Sequence, residues 1–184
     1  MRRILLVDDE PNILSALRRA LGTKVSDGCN TFDISVEVFD QPEAALWRAR
    51  DTKFDLVMSD FRMPAMDGVS FLKSFRNLQP DAARLILSGF TDLEGLIGAI
   101  NDAQIYRFIS KPWQQYDLSA TLAQALAFHG LQQENQRMAD LLRVQQGKLS
   151  HQELELRRLE NENPGITKVN WGPNGEVVLD EGIV

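Results

Sequence analysis

Short apolar runs that end in polar residues constrain this chain most strongly. Four of them occupy residues 4–7, 56–58, 85–87 and the stretch through Ile109. Short apolar runs separated by helical stretches predict parallel strands in a βαβ series, and ligands of such open sheets bind outside the carboxyl ends of the strands. We therefore expect three carboxylates, a hydroxyl and an ammonium to meet in one crevice; they belong to Asp8, Asp9, Asp60, Ser88 and Lys111.

The periodicity of the first 110 residues predicts alternating strands and helices. Strands are predicted at residues 3–7, 32–39, 54–59, 84–87 and 106–110. Helices are predicted from Pro11, over 42–51, from about Val69 to Leu78 and over 92–101. Each of the first three is supported by a proline in its first turn or by an apolar stripe. The polar stretch 22–30 is predicted to be a loop.

The pattern changes to a heptad repeat in the last third of the chain. The a positions are Asn135, Leu142, Leu149 and Leu156, and the d positions are Met138, Gln145, Gln152 and Leu159. This seam predicts a helix that continues without interruption from Trp113 to about residue 162, which is about 75 Å long. It forms either a dimeric coiled coil or a solvated helix that packs on another domain, and Asn135 at an a position favours a parallel, in-register dimer. Residues 166–179 are predicted to form a β-hairpin.

Composition excludes several classes of protein. The chain has 184 residues and a net charge of −6, so it has no long-range attraction for nucleic acid or for an anionic membrane. Its one cysteine, Cys29, fits a reducing compartment. Only four apolar residues precede Asp8, which is too few for a signal peptide, and no later run reaches transmembrane length. We expect a cytoplasmic protein.

The residues at the strand ends indicate phosphoryl chemistry. Clustered carboxylates need either raised pKa values or a bound cation, and ligation by oxygen alone suits Mg²⁺. Asp60, once its charge is balanced, has a carboxylate oxygen that can attack phosphorus, while Lys111 neutralises one phosphoryl oxygen and Ser88 donates to another. Each residue alone has a structural explanation, as a helix cap, a turn residue or a surface lysine. Their joint placement favours the functional interpretation.

The residues that carry this chemistry also carry a resemblance. The sequences Leu-Val-Asp-Asp-Glu-Pro at 6–11, Ser-Asp-Phe-Arg-Met-Pro-Ala-Met-Asp-Gly at 59–68, Ser-Gly at 88–89 and Lys-Pro-Trp at 111–113 resemble the receiver domain of two-component response regulators. The resemblance covers about residues 1–128. It implies a flavodoxin-like, doubly wound α/β fold with five parallel strands in the order 2-1-3-4-5. A coiled-coil helix at 129–163 and a hairpin or tail at 164–184 would complete the chain.

The resemblance also implies a role for each site residue. Asp60 would accept a phosphoryl group from a sensor histidine kinase or phosphotransfer protein, and Asp8, Asp9, Asp60 and the Arg62 main-chain carbonyl would hold Mg²⁺. Ser88 would be the switch hydroxyl, Phe108 the switch aromatic and Lys111 the phosphate-binding lysine, with a cis bond before Pro112. On residue type alone, Phe108 is equally an ordinary core aromatic. The signal would leave through the face formed by the fourth helix, the fifth strand and the fifth helix.

Two other functions compete with this one. A phosphorylation-independent dimeric scaffold would use only the helix and the hairpin. A Mg²⁺-dependent phosphohydrolase would need an acid two residues after Asp60, where this chain has Arg62, and an arginine is no general acid at neutral pH. No recognisable output motif follows Trp113 and acidic residues outnumber basic ones there, so we expect an unidentified protein partner downstream and no direct contact with nucleic acid.

Overall fold

A computed structural model of the protein describes residues 1–89, 103–146 and 150–162. The predicted fourth helix at 92–101 and the predicted hairpin at 166–179 lie outside these residues. The strands are β1 Arg2–Val7, β2 Lys24–Ser26, β3 Thr31–Phe39, β4 Leu56–Asp60, β5 Ala83–Ser88 and β6 Arg107–Ser110. The helices are α1 Pro11–Leu21, α2 Pro42–Asp51, α3 Gly68–Leu78, α4 Gln115–Gln145 and α5 His151–Glu162.

The six strands form one mixed sheet in the order β2-β3-β1-β4-β5-β6. Neighbours from β3 to β6 pair in parallel, whereas β2 pairs antiparallel to β3. The fold is therefore the expected flavodoxin-like, doubly wound fold, but the prediction of a purely parallel five-stranded sheet is wrong. The additional strand lies at the sheet edge, beside β3.

Strand β2 occupies the stretch that the sequence predicts to be a loop. Val25 is fully buried there, and Ser26 donates its backbone N–H to Ser119 Oγ of α4 at 2.9 Å. Three residues are too few to show the alternation by which strands are recognised. The contacts that form this strand come from β3 and from a helix 93 residues away, so local sequence does not reveal it.

Alternate residues of the parallel strands enter two separate cores. Ile4 and Leu6 of β1 pack with residues of α1 and α4, whereas Leu5 and Val7 pack with residues of α2 and α3. Because successive side chains of a strand point to opposite faces, a stretch of strand covered on both sides must be apolar throughout, as residues 4–7 of β1 are. Each such fully buried side chain contributes about 1.5–3 kcal/mol to stability.

The helix that leaves the sheet is not continuous to residue 162. Helix α4 ends at Gln145 and α5 begins at His151, and Arg157 Nη1 of α5 lies 3.3 Å from Asp140 Oδ1 of α4. In one straight helix these two residues would be about 25 Å apart along the axis. Helix α5 therefore lies back against α4, and the prediction of an uninterrupted helix is wrong. Within the described ranges, no helix is both long and apolar enough to cross a membrane.

Candidate functional site

Three charged side chains meet at the carboxyl edge of the sheet. Lys111 Nζ lies 2.8 Å from Asp8 Oδ2 and 2.6 Å from Asp60 Oδ1. Asp8 follows β1, Asp60 ends β4 and Lys111 follows β6. The structure thus brings together two predicted acids and the predicted lysine, although 103 residues separate Asp8 from Lys111.

The parallel register places these residues at one edge. Val7 pairs with Ser59 in the sheet, so Asp8 and Asp60 both lie one residue beyond that pair. Asp60 in turn pairs with Leu87, and the Lys111 backbone N–H donates to the Ser88 carbonyl at 2.8 Å. The main chain itself therefore holds the lysine beside the two acids.

Burial and pairing set the charge of the site. Burial raises the pKa of Asp8, an effect that exceeds the opposing influence of its hydrogen bond from Lys111. Burial alone would lower the pKa of Lys111, but its hydrogen bonds to Asp60 and Asp8 raise that pKa above its usual value. The ammonium is therefore held charged between the two carboxylates.

Backbone amides hold the remaining carboxylate oxygens in place. Glu10 donates its N–H to Asp8 Oδ1 at 2.9 Å, and Arg62 donates its N–H to Asp60 Oδ2 at 2.9 Å. The Arg62 side chain is exposed. The amide contact places the Arg62 backbone beside Asp60, while the role predicted for its carbonyl as a metal ligand stays a prediction.

Asp9 is half-buried and forms no ion pair with Lys111. In residues 1–89, 103–146 and 150–162, no three Asp, Glu, His or Cys side chains are grouped closely enough to hold a metal ion. Of the three carboxylates that were predicted to meet, the structure brings Asp8 and Asp60 together at Lys111. Participation of Asp9 stays a prediction.

The two predicted switch residues lie on neighbouring strands. Ser88 ends β5, is buried, and its Oγ donates to the Gly89 carbonyl at 3.0 Å. Phe108 of β6 is 43% exposed, so the interpretation of Phe108 as a core aromatic is wrong. Their roles as switch residues stay predictions. The Lys111–Pro112 bond is cis, as the resemblance implies.

Gly68 is a site residue whose role sequence reasoning missed. The sequence indicates only that it belongs to a turn, but at the start of α3 a Cβ on Gly68 would collide with the main-chain oxygen of Asp60. Asp67 caps the same helix, where its Oδ1 accepts from Ser70 N–H at 2.9 Å. Helix α3 therefore begins directly against the backbone of Asp60, and only glycine permits that approach.

The donors at this edge fit a hard divalent cation. Asp8 and Asp60 each direct one carboxylate oxygen at a common cation position, where the Lys111 ammonium balances their charge. Magnesium prefers such oxygen ligands and retains several waters, so it needs few protein groups.

These features define the class of protein. A doubly wound sheet with paired acids and a lysine at its carboxyl edge belongs to the α/β domains that bind charged groups at that edge. The family known as the response regulator receiver domain matches residues 4–123. The chain belongs to this family of signalling domains.

Individual proteins support the assignment. The chain is 36% identical over 135 residues to the hydrogenase transcriptional regulatory protein HoxA of Cupriavidus necator, covering 73% of this chain and 26% of that protein. It is 31% identical over 130 residues to the DNA-binding transcriptional regulator NtrC of Klebsiella pneumoniae, covering 70% of this chain and 26% of that protein. The chain thus spans about a quarter of the length of these curated relatives.

Solved structures agree with the sequence relatives. A structure described as adenylate cyclase from Rhodopirellula baltica has a TM-score of 0.67 and 30% identity, covering 76% of this chain and 97% of that one. The signal receiver domain of an HD domain-containing protein from Pseudomonas fluorescens has a TM-score of 0.62 and 32% identity, covering 70% of this chain and 97% of that one. The similarity therefore extends across nearly the whole of both neighbours.

Proposed function

We propose that this chain is a phosphorelay response regulator whose Asp60 accepts a phosphoryl group from a sensor histidine kinase or phosphotransfer protein. The observation that carries the proposal is the contact of Lys111 Nζ with Asp60 Oδ1 at 2.6 Å. That contact places a fixed positive charge beside the carboxylate oxygen that would bond to phosphorus. Membership of the receiver family supports the same role.

In the proposed step, an Asp60 carboxylate oxygen forms a bond to phosphorus while the bond from phosphorus to the donor histidine nitrogen breaks. The electron pair of that bond stays on the donor imidazole, which then takes up a proton from solvent. Lys111 neutralises one phosphoryl oxygen, and Ser88 at the end of the adjacent strand donates to another. Asp8, Asp9, Asp60 and the Arg62 carbonyl would hold Mg²⁺, which when bound would supply neutralisation of negative charge at the site.

Phosphorylation by a small-molecule donor tests the proposal. Purified protein is incubated with acetyl phosphate and Mg²⁺, and a phosphate-affinity gel reports modification. We expect Asp60→Ala and excess EDTA each to abolish the shifted band. Asp67→Asn is the matched control, because it removes a nearby exposed carboxylate while asparagine still caps α3. A shifted band that persists in Asp60→Ala refutes the assignment of the site.

We further propose that the chain transmits its signal as a parallel homodimer through the heptad seam. Met138, Leu142 and Leu156 are each more than half exposed, and such large apolar side chains at a and d positions are suited to burial against a second copy. Asn135 is exposed on the same seam, Leu159 is half-buried, and Leu149 lies outside the described residues.

The proposed dimer and its output can be tested separately. We expect Leu142→Lys to prevent dimerisation in sedimentation equilibrium, because a charge would replace an apolar seam residue, without changing phosphorylation of Asp60. The net charge of −6 supports a downstream protein partner rather than nucleic acid for this chain. A DNA-dependent change in its sedimentation at physiological salt would contradict that part of the proposal.

A further inference from the structure

A buried carboxylate joins the two C-terminal helices. Asp140 of α4 is only 6% exposed, and its Oδ1 accepts hydrogen bonds from Gln136 Nε2 at 3.3 Å, Arg143 Nη1 at 2.8 Å and Arg157 Nη1 at 3.3 Å. The first two donors belong to α4, whereas Arg157 belongs to α5. We call these four residues the Asp140 cluster. Its one bond between helices holds α5 against α4.

The Asp140 cluster and the heptad seam lie on different faces of the helices. With Asn135 at position a, Asp140 occupies position f, and with Leu156 at position a, Arg157 occupies position b. Both are outer positions that face solvent in a dimeric coiled coil. Asp140 is buried here although its heptad position predicts exposure, because α5 lies back against α4.

Helix α5 also has its own beginning. Ser150 Oγ accepts the Glu153 backbone N–H at 3.2 Å, and Glu153 Oε2 accepts the Ser150 N–H at 2.8 Å. This reciprocal pair is a capping box, a device that satisfies the orphan amides of a helix start and contributes about 1 kcal/mol. A helix running straight through residue 150 would have no use for it. The chain therefore encodes a new helix start at residue 150 locally, and the contact of Arg157 with Asp140 returns that helix to α4.

Because α5 is folded back on α4, the heptad seam is divided between two helices. With α5 against α4, the seam positions that remain in line on α4 run from Leu131, a 60% exposed d position, to Gln145. That is about two heptads, fewer than the three or four whose repetition indicates a coiled coil. We propose that the Asp140 cluster is an autoinhibitory contact, which keeps α5 folded back and must open before the parallel dimer forms. This inference rests on the proposed dimer and names its regulation.

Removal of the arginine that joins the helices tests the inference. Arg157→Ala removes the bond from α5 to Asp140, and in the dimer it alters only an outer position. The control is Arg158→Ala, because Arg158 pairs with Glu155 and Glu162 of its own helix at 3.6 and 3.4 Å. In sedimentation equilibrium on the full chain, we expect Arg157→Ala to lower the dimer dissociation constant at least tenfold, and Arg158→Ala to leave it within twofold. An unchanged or raised constant in Arg157→Ala, when wild type dimerises, overturns the inference.

A distance measurement separates this inference from the dimer itself. Nitroxide labels are placed on Arg137→Cys and Glu162→Cys in a Cys29→Ser background. One straight helix would separate their backbones by about 37 Å, whereas in the folded-back chain both residues line the cavity between α4 and α5. We expect a short distance in wild type that lengthens toward the straight-helix value in Arg157→Ala. Lengthening without any dimer would support the contact and refute the proposed dimer, whereas a short distance unchanged by Arg157→Ala would overturn the contact.

Discussion

Replacement of Lys111 by methionine examines the electrostatic balance of the site. The variant keeps the aliphatic volume of the side chain but removes the ammonium that contacts Asp8 Oδ2 and Asp60 Oδ1. Since both oxygens lie within 2.8 Å of one nitrogen, they remain close to each other after it is gone. Two poorly hydrated negative charges would then face each other, and we expect the free energy of unfolding to fall.

The magnitude follows from these distances. An ion pair at 2.8 Å has a Coulomb energy of about 6 kcal/mol at an effective dielectric constant of 20, most of which offsets the cost of desolvation. We therefore expect Lys111→Met to cost about 2–4 kcal/mol in the wild-type background. In an Asp8→Asn background only Asp60 loses its partner, so the same change should cost about 1–2 kcal/mol less.

Urea unfolding followed by circular dichroism, at pH 7.5 with EDTA present, measures all four corners of this double-mutant cycle. Lys24→Met is the matched control, because Lys24 pairs with Asp33 at 3.5 Å and both side chains are about two-thirds exposed. Such a surface pair contributes about 0–1 kcal/mol. An equal cost of Lys111→Met in both backgrounds would mean that Asp8 and Lys111 are not coupled, and would refute this account of the site.

Three further changes probe the close approach of α3, a buried amide and a buried imidazole. Gly68→Ala should cost at least about 1–3 kcal/mol in urea unfolding and also slow phosphorylation, because its Cβ collides with the Asp60 carbonyl; unchanged stability would contradict this. Gln79→Leu should cost about 2–4 kcal/mol, since it deprives the Phe54 N–H of its 2.8 Å acceptor in the core, and near-wild-type stability would contradict that role. Burial lowers the pKa of His129, whose ring nitrogens lack hydrogen-bond partners, so protonation favours the unfolded chain and stability should fall as pH drops below about 6.5. His129→Leu should reduce the dependence of the unfolding free energy on pH by up to about 1.4 kcal/mol per pH unit. An unaltered dependence would mean that other groups cause it.

Local pattern was sufficient to locate most of the site. The strand ends near Asp8, Asp60 and Ser88 are visible because a strand buried on both faces has a continuous apolar run, so the polar residues that follow the run mark its end. Parallel pairing then requires those ends to share one edge. The cis bond before Pro112 was implied by the resemblance and is present.

Contacts between distant segments decided the rest. Strand β2 depends on β3 and on Ser119 of α4, and the role of Gly68 depends on how closely α3 approaches Asp60. The capping box of Ser150 and Glu153 was available in the sequence as a signal for a new helix, but the heptad spacing across the same residues indicated continuity. At residues 150–153 one local signal therefore indicated a new helix and the other a continuous one.

The sequence by itself determined the parallel strands β1 and β3 to β6, the family, and Asp8, Asp60 and Lys111 of the site, because each depends on short-range periodicity or on motif spacing. Only the tertiary structure decided that Lys111 joins Asp8 to Asp60, and that Arg157 returns to Asp140. The physical reason is that a break in a solvated helix exchanges a few backbone hydrogen bonds for capping contacts and water, at a small net cost. A choice between a straight helix and a broken one depends on a few long-range contacts of about 1 kcal/mol each, which no local pattern encodes.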